Sequence, residues 1–308
     1  MSTLGKLAVV GVVLAAAGVA SFWWLSAPQE LNAEELSRLA AGGDAARGEQ
    51  VFWAAGCASC HAAPGAIGED RLTLGGGVRL ETAFGTFVAP NISQHPTQGI
   101  GGWSVADLAN AMLRGVAPDG SHYYPAFPYT SYARMRTEDV ADLHAFLTGL
   151  PAVADAAPPH EIGFPFNMRR GLGLWKRIYL DSSPVIAFAD SSEAVTRGQY
   201  LVEGAGHCGE CHTPRDSFGG LEKGQWLAGA AAAEGQGTVP NITAGEGGIG
   251  DWSADEIASL LESGFTPEFD SVGGSMASVV RNMAELPASD REAIAAYLKA
   301  IPARANGY

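Results

Sequence analysis

The four cysteines of the chain occur in two copies of one short motif, Cys-x-x-Cys-His, at 57–61 and 208–212. Two thiols about one helical turn apart can form thioether bonds with the two vinyl groups of a porphyrin, and the imidazole that follows is then directed at the iron. This spacing is typical of c-type haem attachment. The motif therefore predicts two covalently bound haem c groups. The predicted attachment residues are Cys57, Cys60, His61, Cys208, Cys211 and His212.

Two other uses of paired cysteines fit the sequence less well. A zinc ribbon has its second cysteine pair about 15–20 residues after the first, whereas a much longer segment separates Cys60 from Cys208. A thioredoxin-like redox pair requires a βαβ context, and the sequence has no long alternating strand pattern. It also has no Ser/His/Asp set, phosphate-binding loop or dinucleotide fingerprint that stands out. We therefore expect no catalytic residues and assign the electron chemistry to the haems.

Each iron also needs an axial ligand opposite its histidine. A methionine thioether in that place favours the ferrous state and raises the reduction potential. For the second iron the sequence favours Met276, which follows a glycine-rich segment where backbone can approach the haem, over Met283. For the first iron it favours Met135, in a loop before a helix, over Met112, while His122 would instead give a bis-histidine site. The predicted metal ligands are His61, Met135, His212 and Met276.

The surroundings of the two motifs repeat each other. The segment 47–61, RGEQVFWAAGCASCH, matches 197–212, RGQYLVEGAGHCGECH, and VAPNIS, which contains Asn91, matches TVPNIT, which contains Asn241. These asparagines are candidates for hydrogen bonds near a haem or for turn formation. Because a repeated unit of roughly 110 residues is too long for a solenoid, the repeat indicates duplication of one small domain.

Capping signals and apolar spacing predict helices around both motifs. Ser253 with Glu256, and Ser289 with Glu292, form Ser-x-x-Glu capping boxes that open helices. Apolar residues at helical spacing occur in both halves, namely Val140, Leu143, Leu147, Ile294, Tyr297, Leu298 and Ile301. The sequence therefore predicts an all-α fold.

The N-terminal segment, residues 1–27, predicts a membrane anchor. Leu7–Leu25 has no charged residue and is long enough to cross a bilayer as a helix. Lys6 precedes it and the aromatic group Phe22–Trp24 closes it, so the positive-inside rule predicts a single-pass protein of the inner (cytoplasmic) membrane with its haem domains in the periplasm. A cleaved signal peptide, with Gly18–Ala20 at the cleavage site, is the alternative.

Charge and composition limit the partners. A net charge of −14 with a pI of about 4.8 argues against nucleic-acid binding and favours basic or neutral partners. Between the repeats, residues 153–190 contain several aromatic side chains and four cations within 169–177, so we expect an ordered connector packed against both repeats. Its cations are candidates for pairing with haem propionates or with anionic lipid headgroups.

These motifs resemble those of class I cytochromes c. They are more similar to the membrane-anchored multihaem cytochrome subunits of periplasmic quinoprotein and flavoprotein dehydrogenases that act on alcohols, aldehydes and sugar acids such as gluconate. The segments that carry the resemblance are RGQYLVEGAGHCGECHTPRDSFGG, both PNI segments, YYPAFPYTSYARM and FPFNMRRGLGLW. The resemblance covers about residues 44–305. It implies two tandem class I domains, 44–152 and 191–305, with Met135 and Met276 at the ligand positions of the family.

The resemblance implies an electron-transfer protein rather than an enzyme. Two haem c groups would carry single electrons from a dehydrogenase or another donor to a soluble cytochrome, a terminal oxidase or quinone. Many of those subunits contain three haem motifs, whereas this chain contains two. A dihaem peroxidase with one open haem site, and a subunit that mainly docks a dehydrogenase to the membrane, are the alternatives. The expected partners are the membrane and redox proteins.

Overall fold

The structure is a computed structural model that describes residues 2–232 and 237–308. The chain is mostly helical, with about 45% of its residues in helices. The helices of the first half are α1 (Thr3–Leu25), α2 (Ala33–Leu39), α3 (Ala45–Ala54), α4 (Cys57–His61), α5 (Val105–Arg114), α6 (Tyr129–Tyr132) and α7 (Thr137–Leu147). The later helices are α8 (Leu172–Tyr179), α9 (Glu193–Tyr200), α10 (Gly209–His212), α11 (Ala254–Ser263), α12 (Met276–Met283) and α13 (Ala288–Ala300). Short 3₁₀ turns lie at Gly68–Leu72, Arg169–Gly171 and Lys223–Gln225, and a π-helical segment, Leu201–Ala205, follows α9.

Short strands lie in the loops between the helices. They are β1 (Arg79–Thr82), β2 (Gly85–Val88), β3 (Glu161–Ile162), β4 (Ala230–Ala231) and β5 (Thr238–Val239). The first three form one antiparallel sheet in the order β1-β2-β3, and β4 pairs with β5. The mostly helical fold agrees with the prediction, and the short strands add to it. Strands of two to four residues are too short to produce an alternating sequence pattern.

In each half of the chain, the helix before the cysteine motif crosses a later helix at a glycine. A Cβ atom at Gly48 of α3 would lie 1.9 Å from the carbonyl oxygen of Asp142 in α7. A Cβ atom at Gly198 of α9 would lie 1.9 Å from the carbonyl oxygen of Ala293 in α13. Only glycine permits two backbones to approach so closely. Buried side chains surround these crossings, among them Phe52, Leu143, Leu147, Leu201, Tyr297 and Leu298.

The aligned asparagines Asn91 and Asn241 organise equivalent loops. Each side-chain Oδ1 accepts a hydrogen bond at 2.8 Å from the backbone N–H two residues later. Each Nδ2 donates to a carbonyl oxygen beyond the last helix of its half, that of Val153 at 2.8 Å and that of Arg304 at 2.9 Å. Of the two roles considered for these asparagines, the structure favours turn formation.

The two predicted capping boxes have different outcomes. The Ser253 hydroxyl accepts from the Glu256 N–H and the Glu256 carboxylate accepts from the Ser253 N–H, so α11 begins as predicted. The box predicted at Ser289 and Glu292 is wrong. Helix α13 begins two residues earlier, after Pro287, and no side chain caps it.

The connector between the repeats contacts both halves. Its strand β3 pairs with β2 of the first half, with Glu161 opposite Thr86. On α8, the Trp175 Nε1–H donates to the Phe218 carbonyl oxygen at 2.9 Å. These contacts join the connector to a sheet before it and to a loop that follows the second motif.

Helix α1 has 23 residues and is the one helix of the described residues that is long and apolar enough to cross a membrane. Its C-terminal end is bonded to the connector. Arg170 donates to the Ser26 hydroxyl at 2.8 Å and to the Trp23 carbonyl oxygen at 2.6 Å. Arg177 donates to the Leu25 carbonyl oxygen at 2.5 Å. We call these contacts the anchor clamp.

Candidate haem-binding sites

The first cysteine motif forms the short helix α4. Gly56, at a φ of 65°, connects α3 to it in the left-handed conformation. The Nδ1 atom of His61 lies 2.8 Å from the carbonyl oxygen of Pro90, so Nδ1 carries the proton and Nε2 is available as a ligand. Burial lowers the pKa of His61, which favours the neutral imidazole that metals bind.

The second motif repeats this geometry. The Nδ1 atom of His212 lies 2.8 Å from the carbonyl oxygen of Pro240, and burial also lowers the pKa of His212. The loop again enters the motif through a residue with positive φ, in this half His207 at 38°. Both motifs therefore present a neutral imidazole whose orientation is fixed by a prolyl carbonyl.

The thiols of the motifs suit covalent attachment better than metal–thiolate binding. Burial raises the pKa of Cys57 and Cys208 to about 12, so both are neutral thiols near pH 7. A thiolate that binds a metal needs a depressed pKa. Two thiols and one oriented imidazole per motif are the groups that haem c attachment requires.

A cavity of about 1600 Å³ extends from the first motif along the connector. It reaches Cys57, Cys60 and His61 of the first motif and Cys211 of the second. Its lining is largely apolar and aromatic, and includes Ile92, Ile100, Trp103, Leu108, Phe127 and Leu143. Pockets for drug-sized molecules measure about 300–1000 Å³, so this cavity is large enough for a porphyrin.

The candidate methionine ligands lie in different surroundings. Met276 is half-buried at the start of α12. Met135 is buried after α6, and its Cγ would lie 3.7 Å from a Cβ atom placed on Gly204 of the π-helical segment. Met112 of α5 is buried as well and lines the cavity that His61 lines. Met135 and Met276 stay predictions as sixth ligands.

The turn that follows α5 has the same hydrogen bonds as the turn that follows α11. An isolated antiparallel bridge joins Val116 to His122, and an equivalent bridge joins Phe265 to Ser271. In both turns the backbone N–H of the residue after the bridge donates to the carbonyl of the glycine that ends the preceding helix. These matching bonds align the two halves residue by residue here, with Val116 equivalent to Phe265 and His122 equivalent to Ser271.

Continued along the chain, this register aligns Phe127 of the first half with Met276 of the second. Phe127 lines the cavity. Met135 aligns instead with the buried Leu286. Each lies directly before the last helix of its half, and the backbone N–H of each donates to the carbonyl oxygen three residues earlier. In this register the first half has no methionine at the place of Met276. Sequence reasoning missed this difference, and the matching turns reveal it.

The alternative ligand His122 is engaged elsewhere. It is buried, and its Nε2 atom lies 2.9 Å from the Ser26 carbonyl oxygen at the end of α1. With Nε2 engaged by this carbonyl, the buried Nδ1 is the nitrogen that would remain for an iron.

The cations of 169–177 mainly contact protein. Arg170 and Arg177 form the anchor clamp, and Arg169 stacks on the Tyr124 ring at 4.9 Å. Lys176 is buried and its Nζ donates to carbonyl oxygens at the end of α5, at 2.7 and 2.5 Å. Burial lowers the pKa of Lys176 to about 7.

Comparisons with known proteins agree with this chemistry. The cytochrome c family model matches residues 45–151. The chain is 55% identical to a diheme c-type cytochrome of Cereibacter sphaeroides, over 95% of this chain and 97% of that one. It is 35% identical to the fructose dehydrogenase cytochrome subunit of Gluconobacter japonicus, and 36% identical to the gluconate 2-dehydrogenase cytochrome c subunit of Pantoea cypripedii.

Each of those two matches covers 84% of this chain, which spans 53% and 59% of the length of the respective subunits. The similarity to the Cereibacter protein extends over nearly the whole of both chains. With its Cys-x-x-Cys-His motifs and carbonyl-oriented histidines, the chain belongs to the cytochrome c family, whose haem c is covalently bound, and its relatives are diheme c-type cytochromes and cytochrome subunits of dehydrogenases.

Proposed function

We propose that the chain is a membrane-anchored dihaem cytochrome c that carries single electrons from a dehydrogenase to a cytochrome, a terminal oxidase or quinone. In this proposal two class I domains, 44–152 and 191–305, are joined by the connector 153–190. The observation that carries it is the same histidine contact in both motifs, Nδ1 at 2.8 Å from a prolyl carbonyl oxygen. A dehydrogenase as donor is supported by the relatives named above.

A bound haem supplies an iron that alternates between the ferrous and ferric states. The chain would supply covalent attachment through its cysteines and a neutral imidazole ligand from His61 or His212. The prolyl carbonyls hold each ring in one tautomer, so no proton has to move at the ligand when the charge on the iron changes. Met276 and Met135 are the proposed sixth ligands.

We further propose that residues 1–27 stay in the mature protein as a single inner-membrane anchor, with the haem domains in the periplasm. A helix of 23 residues is about 35 Å long, which matches the hydrocarbon core of a bilayer. The anchor clamp supports this proposal, because it holds the end of α1 against the connector. Intact-mass measurement of the purified protein tests it: a chain shortened near Ala20 would contradict a retained anchor.

A second candidate function is peroxidase-like chemistry at an open first haem site. Phe127 at the place of Met276 favours it, since a phenyl ring is no metal ligand. Addition of cyanide or carbon monoxide distinguishes the two functions. An open site binds these ligands rapidly and shows a high-spin ferric spectrum, whereas two six-coordinate haems bind them slowly and remain low-spin.

Haem counting tests the main proposal. A pyridine haemochrome assay on the purified chain is expected to give two haems per chain, and both should resist acid extraction. Cys208→Ala with Cys211→Ala should lower the count to one, because only the second attachment site is lost. One haem in the wild-type chain, or haem that acid extracts, would contradict the proposal.

A further inference from the structure

The two cysteine motifs are in contact with each other. His207, directly before Cys208, places Nε2 at 3.3 Å from the carbonyl oxygen of Ala55, which lies just before the first motif. The Tyr132 hydroxyl donates to the same oxygen at 2.9 Å, and its ring meets the imidazole edge-on at a centroid distance of 5.6 Å. A Cβ atom on Gly56 would lie 3.6 Å from His207 Nε2. The proposed haem attachment and iron ligation do not involve this contact.

Gly56 and His207 are counterparts in the repeat. Each directly precedes the first cysteine of its motif, and each has a left-handed backbone, with φ of 65° and 38°. Glycine adopts this conformation freely, whereas a histidine rarely does. The second half therefore holds an imidazole, in an uncommon conformation, where the first half has no side chain, and that imidazole fills the space beside Gly56.

The contacts around this pair are reciprocal. Asn282 Nδ2 donates to the Ser59 hydroxyl at 2.8 Å, and the Ser131 hydroxyl donates to the Glu210 carboxylate at 2.7 Å. Ser59 and Glu210 hold the same place within the two motifs, and the interval between Ser131 and Asn282 equals the interval between the motifs. Exchange of the halves therefore converts one contact into the other, as at a two-fold interface where the same patches meet.

The second half of this interface is further held by charge. Glu210 also accepts a hydrogen bond from Thr130 at 2.8 Å and pairs with Arg215 at 2.6 Å, and its carboxylate is nearly buried. A carboxylate that accepts several charged and neutral hydrogen bonds can satisfy them in one position only. Glu210 therefore fixes the position of the motif that contains it.

The segment before the second motif has one residue more than the segment before the first, and a local change in the helix accommodates it. The interval from Arg197 to Cys208 is one residue longer than that from Arg47 to Cys57. The π-helical segment Leu201–Ala205 lies within the longer interval. Single π turns accommodate such insertions inside helices and occur often at functional sites. The insertion thus leaves both motifs with the same geometry, with His207 at the place of Gly56.

We propose that Gly56 and His207 are the centre of a pseudo-two-fold junction between the haem-attachment loops, and that His207 positions these loops for direct electron exchange between the two haems. The proposal rests on the proposed dihaem function. In the exchange a ferrous iron loses one electron and becomes ferric while the other iron gains it and becomes ferrous, with no proton or further reactant. His207 contacts the loop before the first motif and acts through it, and is therefore a positioning residue.

The test measures internal electron exchange in the full-length chain in neutral detergent. A flash-generated reductant delivers one electron per molecule, and absorbance follows its equilibration between the haems. His207→Asn keeps a residue that tolerates positive φ but removes the ring. Because electron exchange slows as two haems move apart, we expect His207→Asn to exchange electrons more slowly than the wild type. The matched control His144→Asn alters a half-buried histidine bonded to the Trp103 carbonyl, away from the junction, and should keep the wild-type rate.

Electron paramagnetic resonance of the fully oxidised protein gives an independent signal, because the interaction between two ferric irons weakens with distance. His207→Asn should weaken it, and Asn282→Ala, which removes the donor to Ser59, should do the same. If His207→Asn loses haem, the exchange rate and the resonance signal of Asn282→Ala test the proposal in its place. An unchanged exchange rate and an unchanged resonance signal in a variant that retains both haems would overturn the proposed role of the junction and leave the dihaem function intact. A single haem in the wild-type chain would overturn the dihaem function itself.

Discussion

At the scale of single residues, the two motifs are alike in their histidines and differ at the positions proposed for the sixth ligands. His61 and His212 have the same partner atom at the same distance. The register of the repeat aligns Met276, a proposed ligand, with Phe127, which has no donor atom. A difference of this kind would separate the reduction potentials of two otherwise similar haems, because a thioether ligand raises the potential.

The attachment residues were predictable from the sequence, whereas the distal ligands were less so. Two thioether bonds and one axial imidazole require a fixed spacing, and a fixed spacing is visible in a sequence. A methionine ligand would come from a segment whose length differs between the halves. Met135 therefore resembles a ligand by its place before a helix, while hydrogen bonds align it with Leu286. Only the paired turns reveal that alignment.

Methionine variants test the distal ligands. Ferric haem bonded to a thioether has a weak far-red charge-transfer band, so Met135→Ala and Met276→Ala should each remove about half of its intensity if both are ligands. Met112→Ala is the control, and it should leave the band unchanged. A band that survives Met135→Ala but is halved by Met112→Ala would identify Met112 as the first distal ligand, and a band that only Met276→Ala affects would leave the first iron without methionine.

At the scale of elements, the helices were predicted well and the strands were not. The apolar spacing of α7 and α13 and the capping box of α11 depend on neighbours three or four residues apart, which a sequence displays directly. The sheet pairs β2 with β3, whose partners Thr86 and Glu161 are far apart in the chain. Such a pairing leaves no periodic signal in strands this short.

The anchor clamp predicts a local change without loss of haem. Arg170→Ala with Arg177→Ala removes donors to the end of α1. Exposed charged hydrogen bonds of this kind are worth about 1 kcal/mol, so we expect the segment at 26–32 to open about fivefold more often. Limited proteolysis of the protein in detergent measures this, and the haem spectrum should not change. Arg38→Ala, which removes an exposed pair with Glu34 at 2.8 Å, is the control and should digest like the wild type.

Lys176 predicts a pH-dependent stability. Its pKa is lowered to about 7 in the folded chain by burial, against about 10.4 for an exposed lysine. Between these values the unfolded chain binds more protons than the folded one, so the contribution of Lys176 to the free energy of unfolding rises with pH from about 7 to about 10. Denaturant titrations of the wild type and of Lys176→Met should therefore show a difference that shifts in favour of the wild type across this window. A difference independent of pH would mean that the carbonyl oxygens at the end of α5 keep the ammonium charged.

At the scale of the whole molecule, the halves are joined by the loops that carry their chemistry. The sequence predicted the duplication, since the repeated segments are similar, but not the way the copies meet. That interface depends on single residues such as Asn282 and Glu210, which differ from their counterparts in the other half. Hydrogen bonds between distant residues of different type leave no pattern that one sequence can show.

The net charge of −14 predicts how the molecule meets a diffusible partner. Attraction of a basic carrier extends over a Debye length, which shrinks from about 30 Å at 0.01 M salt to about 8 Å at 0.15 M. The clustered cations of 169–177 oppose this attraction locally, so we expect the docking face to lie away from them. Stopped-flow oxidation of the reduced full-length protein by a basic soluble cytochrome should slow by about tenfold or more over this range of salt. An acidic carrier should show little slowing or a gain, because salt then screens repulsion. Rates that do not depend on salt with either carrier would contradict steering and indicate a permanently docked partner, with electrons passing inside a complex and not by diffusive encounter.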